Sequence, residues 1–463
     1  MFTPKNVLPR RDPRGTFGAA RWATSAERRT MSSGLELGID RVSGRTVRVS
    51  IDGNLLTIAP PRKGKTSGVL IPNLAFPERR AWGGPAVVID PKGEVYRAVA
   101  GRRREMGRTV RCLDPLNLVG GTDCWNPLQG LDPSDVLYLQ QTALALLPET
   151  SDRNEAAAYF RNRASDLIVG AMIVALRSER RNVVEVLRLL NDDASFTEGL
   201  AQFPREPAAL PALSILNDDP GSRDPVKSTA AQAFSWLADE RLRKLVAKST
   251  FDLSDLAVGD VDLFVAVPTR DKNALAPFLR WLLDDIFNAI RANRPAERIV
   301  IFIDEAAALG RFDAILTASG ELPGYGGSLW TIWQDRAQMV TTYGEDGAST
   351  LLRTAEIVTL FDVPAIDPDE SDRWSRALGD YTAMIDTTSS GGQALGNPSV
   401  ATSPQVARLM TKEGLTAMAS NELIVFPNSR HYARHPLRLR KTYAYADPRF
   451  KGLVEDVQPV GRV

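Results

Sequence analysis

The side chains best suited to chemistry lie in three widely separated stretches. The first is Gly64-Lys65-Thr66, reached from the apolar run Asn54-Leu55-Leu56-Thr57-Ile58-Ala59 through Pro60-Pro61-Arg62-Lys63. A strand, a short loop and a helix start, in that order, present backbone N–H groups and a helix N-terminus to phosphate oxygens. A lysine placed like Lys65 reaches the outer phosphates, and a hydroxyl placed like Thr66 ligates Mg2+. Arg62, Lys63, Gly64 and Ser67 complete the candidate phosphate cradle. The full pattern has glycine five places before Gly64, where this chain has Ala59.

The second stretch is Ile299-Val300-Ile301-Phe302-Ile303-Asp304-Glu305. An aspartate ending a buried strand holds Mg2+ opposite a phosphate loop. A glutamate directly after it can take the proton of an attacking water. Two solvated acids at a strand end are common by themselves; the conjunction with the loop is what points to nucleotide hydrolysis. The third stretch is Ser328-Leu329-Trp330-Thr331-Ile332-Trp333-Gln334-Asp335. An amide at the end of a neighbouring strand, here Gln334, can orient the water or sense the outer phosphate. A backbone-bonded amide is the plainer alternative. Asp90 and Lys92 follow the apolar run Ala86-Val87-Val88-Ile89, at the strand end where α/β sheets keep ligands. Hydrolysis of this kind often needs a cation from a neighbouring subunit. Arg353, Arg373 and Arg376 follow the third stretch, and Arg353 is preferred for proximity in sequence. ATP and Mg2+ are the cofactors implied.

The elements that must position these groups follow an α/β rhythm. The unbroken apolar run 86–89 reads as a strand buried on both faces of a parallel sheet, and shorter or mixed apolar runs read as its neighbours. They fall at 54–58, 86–89, 109–113, 261–268, 298–303, 328–333, 356–361 and 422–426. Helices are expected at 66–75, shortened or kinked by Pro72, at 95–106 and at 274–291. Between about 125 and 251 strand signals vanish. Helices are expected there at 133–147, 154–178, 183–190, 208–216 and 228–247. The expected fold is a RecA-like P-loop NTPase domain with a parallel-rich sheet (31–124 and 252–463), an inserted all-α domain (125–251) and a basic irregular lead-in (1–30). A small hairpin precedes the first core strand. The Ser/Thr/Gly-rich stretch 382–403 reads as a loop, and the alternating basic tail from Arg434 to Lys441 as an edge strand with a wet basic face. Arg102-Arg103-Arg104 reads as favourable charge at a helix C-terminus.

Composition excludes several classes. The net charge of +1 over 463 residues gives no global case for a polyanionic partner. Two cysteines and two histidines do not make a zinc site and suit a reducing compartment. The most apolar run, 167–176, is about half the roughly 20 residues a membrane span requires. The start of the chain carries charges without an apolar signal segment.

With these residues placed, the chain resembles the type IV coupling proteins, the conjugative DNA-transfer ATPases of type IV secretion systems. The likeness runs from about Gly15 to Tyr443. It is carried by Gly18-Ala19-Ala20-Arg21-Trp22-Ala23-Thr24, the phosphate-loop stretch, Asp90-Pro91-Lys92-Gly93-Glu94, Trp125-Asn126-Pro127-Leu128, Phe302-Ile303-Asp304-Glu305-Ala306-Ala307-Ala308-Leu309-Gly310, Leu322-Pro323-Gly324-Tyr325-Gly326-Gly327 and Trp330-Thr331-Ile332-Trp333-Gln334-Asp335. The family commonly lacks glycine where Ala59 stands. The resemblance implies hexamers that use ATP to hand DNA–relaxase complexes, or protein effectors, to the secretion channel at the cytoplasmic face of the bacterial inner membrane. It implies Lys65 and Thr66 as phosphate and Mg2+ residues, Asp304 as Mg2+ partner, Glu305 as base and Gln334 as phosphate sensor. Asp90 and Lys92 match its acidic-basic motif. The family usually begins with a transmembrane hairpin, which this sequence does not show. Either the sequence is the soluble part of a longer protein, or it is a soluble member recruited to the membrane by a separate anchor protein; Met1 and the basic lead-in lean to the second, and single- or double-stranded DNA is an expected partner. A substrate adaptor with little ATP turnover, and a related hexameric DNA motor, are the alternative readings.

Overall fold

A computed structural model of the chain describes residues 10–12, 14–148, 155–389, 399–428 and 434–455. Fourteen strands are present among them: β1 (Arg10–Arg11), β2 (Leu35–Asp40), β3 (Thr46–Val49), β4 (Asn54–Ile58), β5 (Ala86–Ile89), β6 (Thr109–Leu113), β7 (Val261–Val265), β8 (Ile299–Ile303), β9 (Gly327–Trp333), β10 (Ala355–Leu360), β11 (Asp380–Ser389), β12 (Ser399–Arg408), β13 (Glu422–Pro427) and β14 (Leu437–Arg440). Eleven of them form one sheet in the order β3-β2-β14-β13-β10-β4-β9-β8-β5-β7-β6. From β10 to β6 all neighbours are parallel. The other four strands are added antiparallel beyond β10.

The inner parallel strands are rich in apolar residues because both of their faces are covered. Successive side chains point to opposite faces, so Leu56, Ile58, Val87, Ile89, Ile301 and Ile303 enter one core while Leu55, Val88, Phe264, Val300 and Phe302 enter the other. Each fully buried aliphatic side chain contributes roughly 1.5–3 kcal/mol. The first core continues into the helices that separate β6 from β7. The longest of these, Glu155–Arg177, buries Leu167 through Leu176. It lies so close to the helix Leu210–Leu216 that a Cβ on Gly170 would come within 2.5 Å of the Ala212 Cβ. The helix Lys272–Asn293 joins this region to the sheet, with Phe278 and Trp281 edge-on to Trp125. A second, three-stranded sheet has the order β1-β11-β12.

Several sequence expectations require correction. The tail strand β14 is not an edge. It lies between β13 and β2, and Arg438 is paired with Glu422 at 2.6 Å. The edges are β3 and β6. Much of 382–403 is a hairpin in which β11 and β12 pair from Asp380↔Arg408 to Ser389↔Ser399; its remaining residues, 390–398, lie outside the described residues. The lead-in contains a helix, Ser25–Thr30, closed by a capping box between Thr24 and Glu27. The helix expected at 228–247 is broken into Pro220–Gln232, a short 3-10 turn and Glu240–Leu245, and a further helix, Asp193–Ala201, was not anticipated. Arg103 does more than sit at a helix end. It is fully buried and bound to Asp262 of β7 through Nε to Oδ2 at 2.6 Å and Nη2 to Oδ1 at 2.9 Å.

Candidate functional site

Register brings the carboxyl ends of β4, β8 and β9 level. Ile58 pairs with Trp333 and Ile303 with Thr331, and the Ala59 N–H bonds the Trp333 carbonyl at 2.8 Å. The loop after β4 turns through Arg62 at φ +62° and Gly64 at φ +86°. Glycine is required at 64 on two counts: its φ is left-handed, and a Cβ there would meet the Tyr443 ring at 2.8 Å. The turn that follows, Thr66–Leu70, is a π-helix, and α-helix begins only at Ile71–Leu74. Pro72 supplies the reason. It has no N–H for the Gly68 carbonyl, and its ring would clash there in a regular helix, so the turn widens. Among the described residues no side chain caps the N-terminus of this turn. Its first N–H groups are thus left for an anion.

Lys65 leaves this turn and crosses to β8. Its Nζ donates to the Asp304 carbonyl at 3.1 Å and to Glu305 Oε2 at 3.3 Å, and lies 3.8 Å from Asp304 Oδ1. Gln334 Nε2 donates to both Glu305 oxygens at 3.2 Å. Three segments more than 200 residues apart in sequence at their extremes thus converge on one carboxylate. Gln338 joins them. Its Nε2 donates to Glu305 Oε1 at 3.2 Å, its Oε1 accepts the Gln334 N–H at 3.0 Å, and its own N–H is held by Asp335 Oδ1 at 2.7 Å. Sequence reasoning stopped at Gln334. The Asp-x-x-Gln spacing of a helix N-terminus was the available signal.

Asp304 and Asp90 form the acidic floor. Both are buried, and Asp90 Oδ1 and Asp304 Oδ1 have no hydrogen-bond partner among the described residues. Asp90 Oδ2 accepts the Tyr96 N–H at 2.8 Å. Burial pushes the Asp90 carboxyl up to about 7, with the Asp304 charge adding to the effect. Burial also raises Asp304, against the pull of Lys65. Open carboxylate oxygens and the Thr66 hydroxyl are hard donors of the kind Mg2+ takes, one or two from protein and the rest from phosphate and water. No group of three or more His, Cys, Asp or Glu side chains that could hold a metal ion is present among the described residues.

The remaining loop residues are placed differently. Lys63 is paired with Asp362 at 2.6 Å. The Ser67 hydroxyl is turned to the Gly64 carbonyl at 3.4 Å, and Arg62 is exposed. Lys92 is exposed and 3.9 Å from Glu94. Arg353 is not brought to this site within one chain. It precedes β10, whose first residue, Ala355, pairs with Asn54, so it lies at the amino end of the sheet, opposite Lys65. Its Nε donates to the Ser349 carbonyl.

A parallel sheet with a phosphate loop after one strand and an Asp-Glu end on a near neighbour defines a P-loop nucleotide-binding protein of RecA-like fold. The model of the family described as Type IV secretory system Conjugative DNA transfer matches residues 44–460, and the chain belongs to that family. It is 25% identical to the protein VirD4 of Rhizobium radiobacter over 413 residues, 86% of this chain and 58% of that one. It is 28% identical to the probable conjugal transfer protein TraG of Sinorhizobium fredii over 383 residues, 78% of this chain and 58% of that one. The chain therefore spans somewhat over half the length of these relatives. Its fold is that of the plasmid coupling protein TrwB, solved in complex with ADP and Mg2+, with a TM-score of 0.69, 17% identity and coverage of 96% of this chain and 98% of that one. Among the described residues no helix is long and apolar enough to cross a membrane.

Proposed function

We propose that this chain is an ATP-hydrolysing coupling protein that recruits DNA–relaxase complexes or effector proteins and delivers them to a type IV secretion channel at the inner membrane. The observation that carries the ATPase part is the meeting of Lys65, Glu305 and Gln334 at the ends of β4, β8 and β9. Family membership supports the transport part.

In this reading the loop N–H groups and Lys65 bind the phosphates of ATP, and Thr66 and Asp304 hold Mg2+. The metal ion, when bound, neutralises phosphate charge. Without nucleotide, Lys65 occupies Glu305, so the base is held in an ion pair. Phosphate competes for Lys65 and frees the carboxylate. Gln334 and Gln338 keep Glu305 oriented while it accepts a proton from water. Arg62, Lys63 and Ser67 shape the loop, and Asp90 and Lys92 set the charge beside it. The chain acts as a hexamer in which a neighbour completes each site, with Arg353 as the candidate arginine.

Steady-state ATP turnover with and without DNA tests the reading. Lys65→Ala is expected to lower turnover by about 10²–10³-fold, the usual effect of removing one charge-stabilising donor. Turnover that is negligible in the parent protein, with substrate binding intact, would favour the adaptor reading.

A further inference from the structure

A cleft of ≈ 940 Å³ opens on the side of the sheet carrying β2 and β3, between the helix Ser25–Thr30, the turn after β2 and the segment 440–449. That volume lies within the range of small-ligand sites, about 300–1,000 Å³. Its lining holds seven arginines and one lysine against three carboxylates, Asp40, Glu78 and Asp447.

The carboxylates are already engaged. Asp40 pairs with Arg28 at 3.0 Å, and Glu78 with Arg48 and Arg449 at 3.2 Å each. Asp447 pairs with Arg449 at 2.6 Å. Behind them the buried Glu36 binds Arg48 at 3.0 Å and Arg449 at 2.9 Å, and accepts the Thr442 hydroxyl at 2.6 Å. Arg48 is only 3% exposed, and its Nε has no hydrogen-bond partner among the described residues. The floor is therefore a fixed, nearly neutral network. The rim is not neutral. Arg29, Arg45, Arg80 and Arg440 are exposed, and their guanidinium groups form no hydrogen bond or ion pair with any described residue. These four guanidinium groups belong to four different segments, so the cleft gathers charge that none of the segments concentrates alone.

We propose that this cleft is a binding site for a small, multiply phosphorylated group. Guanidinium forks match phosphate oxygens in pairs, and four unpaired forks around one concavity suit a ligand with several negative charges. A singly charged carboxylate would leave most of them unmatched. The site is separate from the phosphate loop but adjacent to it. Lys441, in the lining, donates to the Ser420 carbonyl at 2.8 Å and to the Lys63 carbonyl at 3.5 Å, and the Tyr443 ring packs on Gly64.

The test is calorimetric titration of inorganic tripolyphosphate into the full chain after the phosphate loop has been saturated with ADP and Mg2+. One remaining site is expected, weakened at least about tenfold in Arg80→Glu/Arg440→Glu, the loss of charge-assisted bonds, and retained in Lys65→Ala. Both mutated residues are exposed and unpaired, and retained ADP binding checks that the double variant is folded. Sedimentation with vesicles carrying a phosphoinositide distinguishes the source: binding that falls in the same double variant places the group on a lipid, and unchanged binding makes it a soluble ligand. Absence of the second tripolyphosphate site, equal affinity in the double variant, or equal binding of citrate would overturn the proposal. None of these outcomes depends on ATP turnover.

Discussion

Two sets of buried charges occupy the same sheet and are built in opposite ways. At Asp262, in β7, both carboxylate oxygens are filled: Oδ1 by the Ala86 N–H at 2.9 Å and by Arg103, Oδ2 by Arg103 alone. The Trp82 ring lies over the same guanidinium at 5.6 Å. At Asp304 and Asp90, at the carboxyl ends of β8 and β5, one oxygen of each is open, and the nearby cation, Lys65, divides itself between a carbonyl and Glu305. An unfilled buried carboxylate is costly. In the proposed function those oxygens, at the sheet end where α/β proteins hold ligands, face the bound nucleotide and its metal ion, whereas the Arg103–Asp262 pair lies away from that end, within the fold.

The contrast can be broken at several points. The largest effect is expected at the filled pair. Arg103→Ala leaves Asp262 buried and uncompensated and should cost about 3–5 kcal/mol, read by urea denaturation, with turnover per folded molecule unchanged. A variant of similar stability to the parent would remove the distinction. Next comes Gln338→Ala at the open set. Loss of one hydrogen bond to the charged Glu305 is worth about 1.5 kcal/mol, so kcat should fall roughly tenfold with KM for ATP and thermal stability little altered. A fall in stability instead would make Gln338 a helix cap only.

A third point of attack is a pH dependence. Burial raises the Asp90 carboxyl to about 7 in the folded chain, from about 3.9 unfolded. The folded state thus binds the extra proton, and the stability this gives is fully present below about pH 4 and is lost as pH rises through about 7. Asp90→Asn should therefore stabilise the nucleotide-free protein at about pH 8 and change little at about pH 4. Equal effects at both would place the ionisation elsewhere.

The parallel half of the sheet was legible because most of its strands are buried on both faces and read as apolar-rich runs, and the site was legible because its residues follow those runs directly. What failed was non-local. In β14 the alternation Leu437-Arg438-Leu439-Arg440 specifies a strand with one polar face, but not that Glu422 of β13 meets Arg438 there. In 382–403 the small polar residues resemble a loop, yet β11 pairs along its length with β12 across a connection that no local pattern specifies. Arg103 could not be told from its neighbours Arg102 and Arg104, since only the position of Asp262, 159 residues away, buries it. The rim of the cationic cleft was hidden for the same reason: its arginines are scattered along the chain, and a net charge of +1 conceals them.

The central claim is that the open carboxylates at the carboxyl ends of β5 and β8 serve ATP hydrolysis around Glu305. Glu305→Gln keeps the shape and hydrogen bonds of that side chain but removes its basicity. Steady-state turnover, measured beside ATP binding in the same protein, should fall by about 10²–10⁴-fold while ATP affinity is kept. Turnover equal to that of the parent protein would contradict the account.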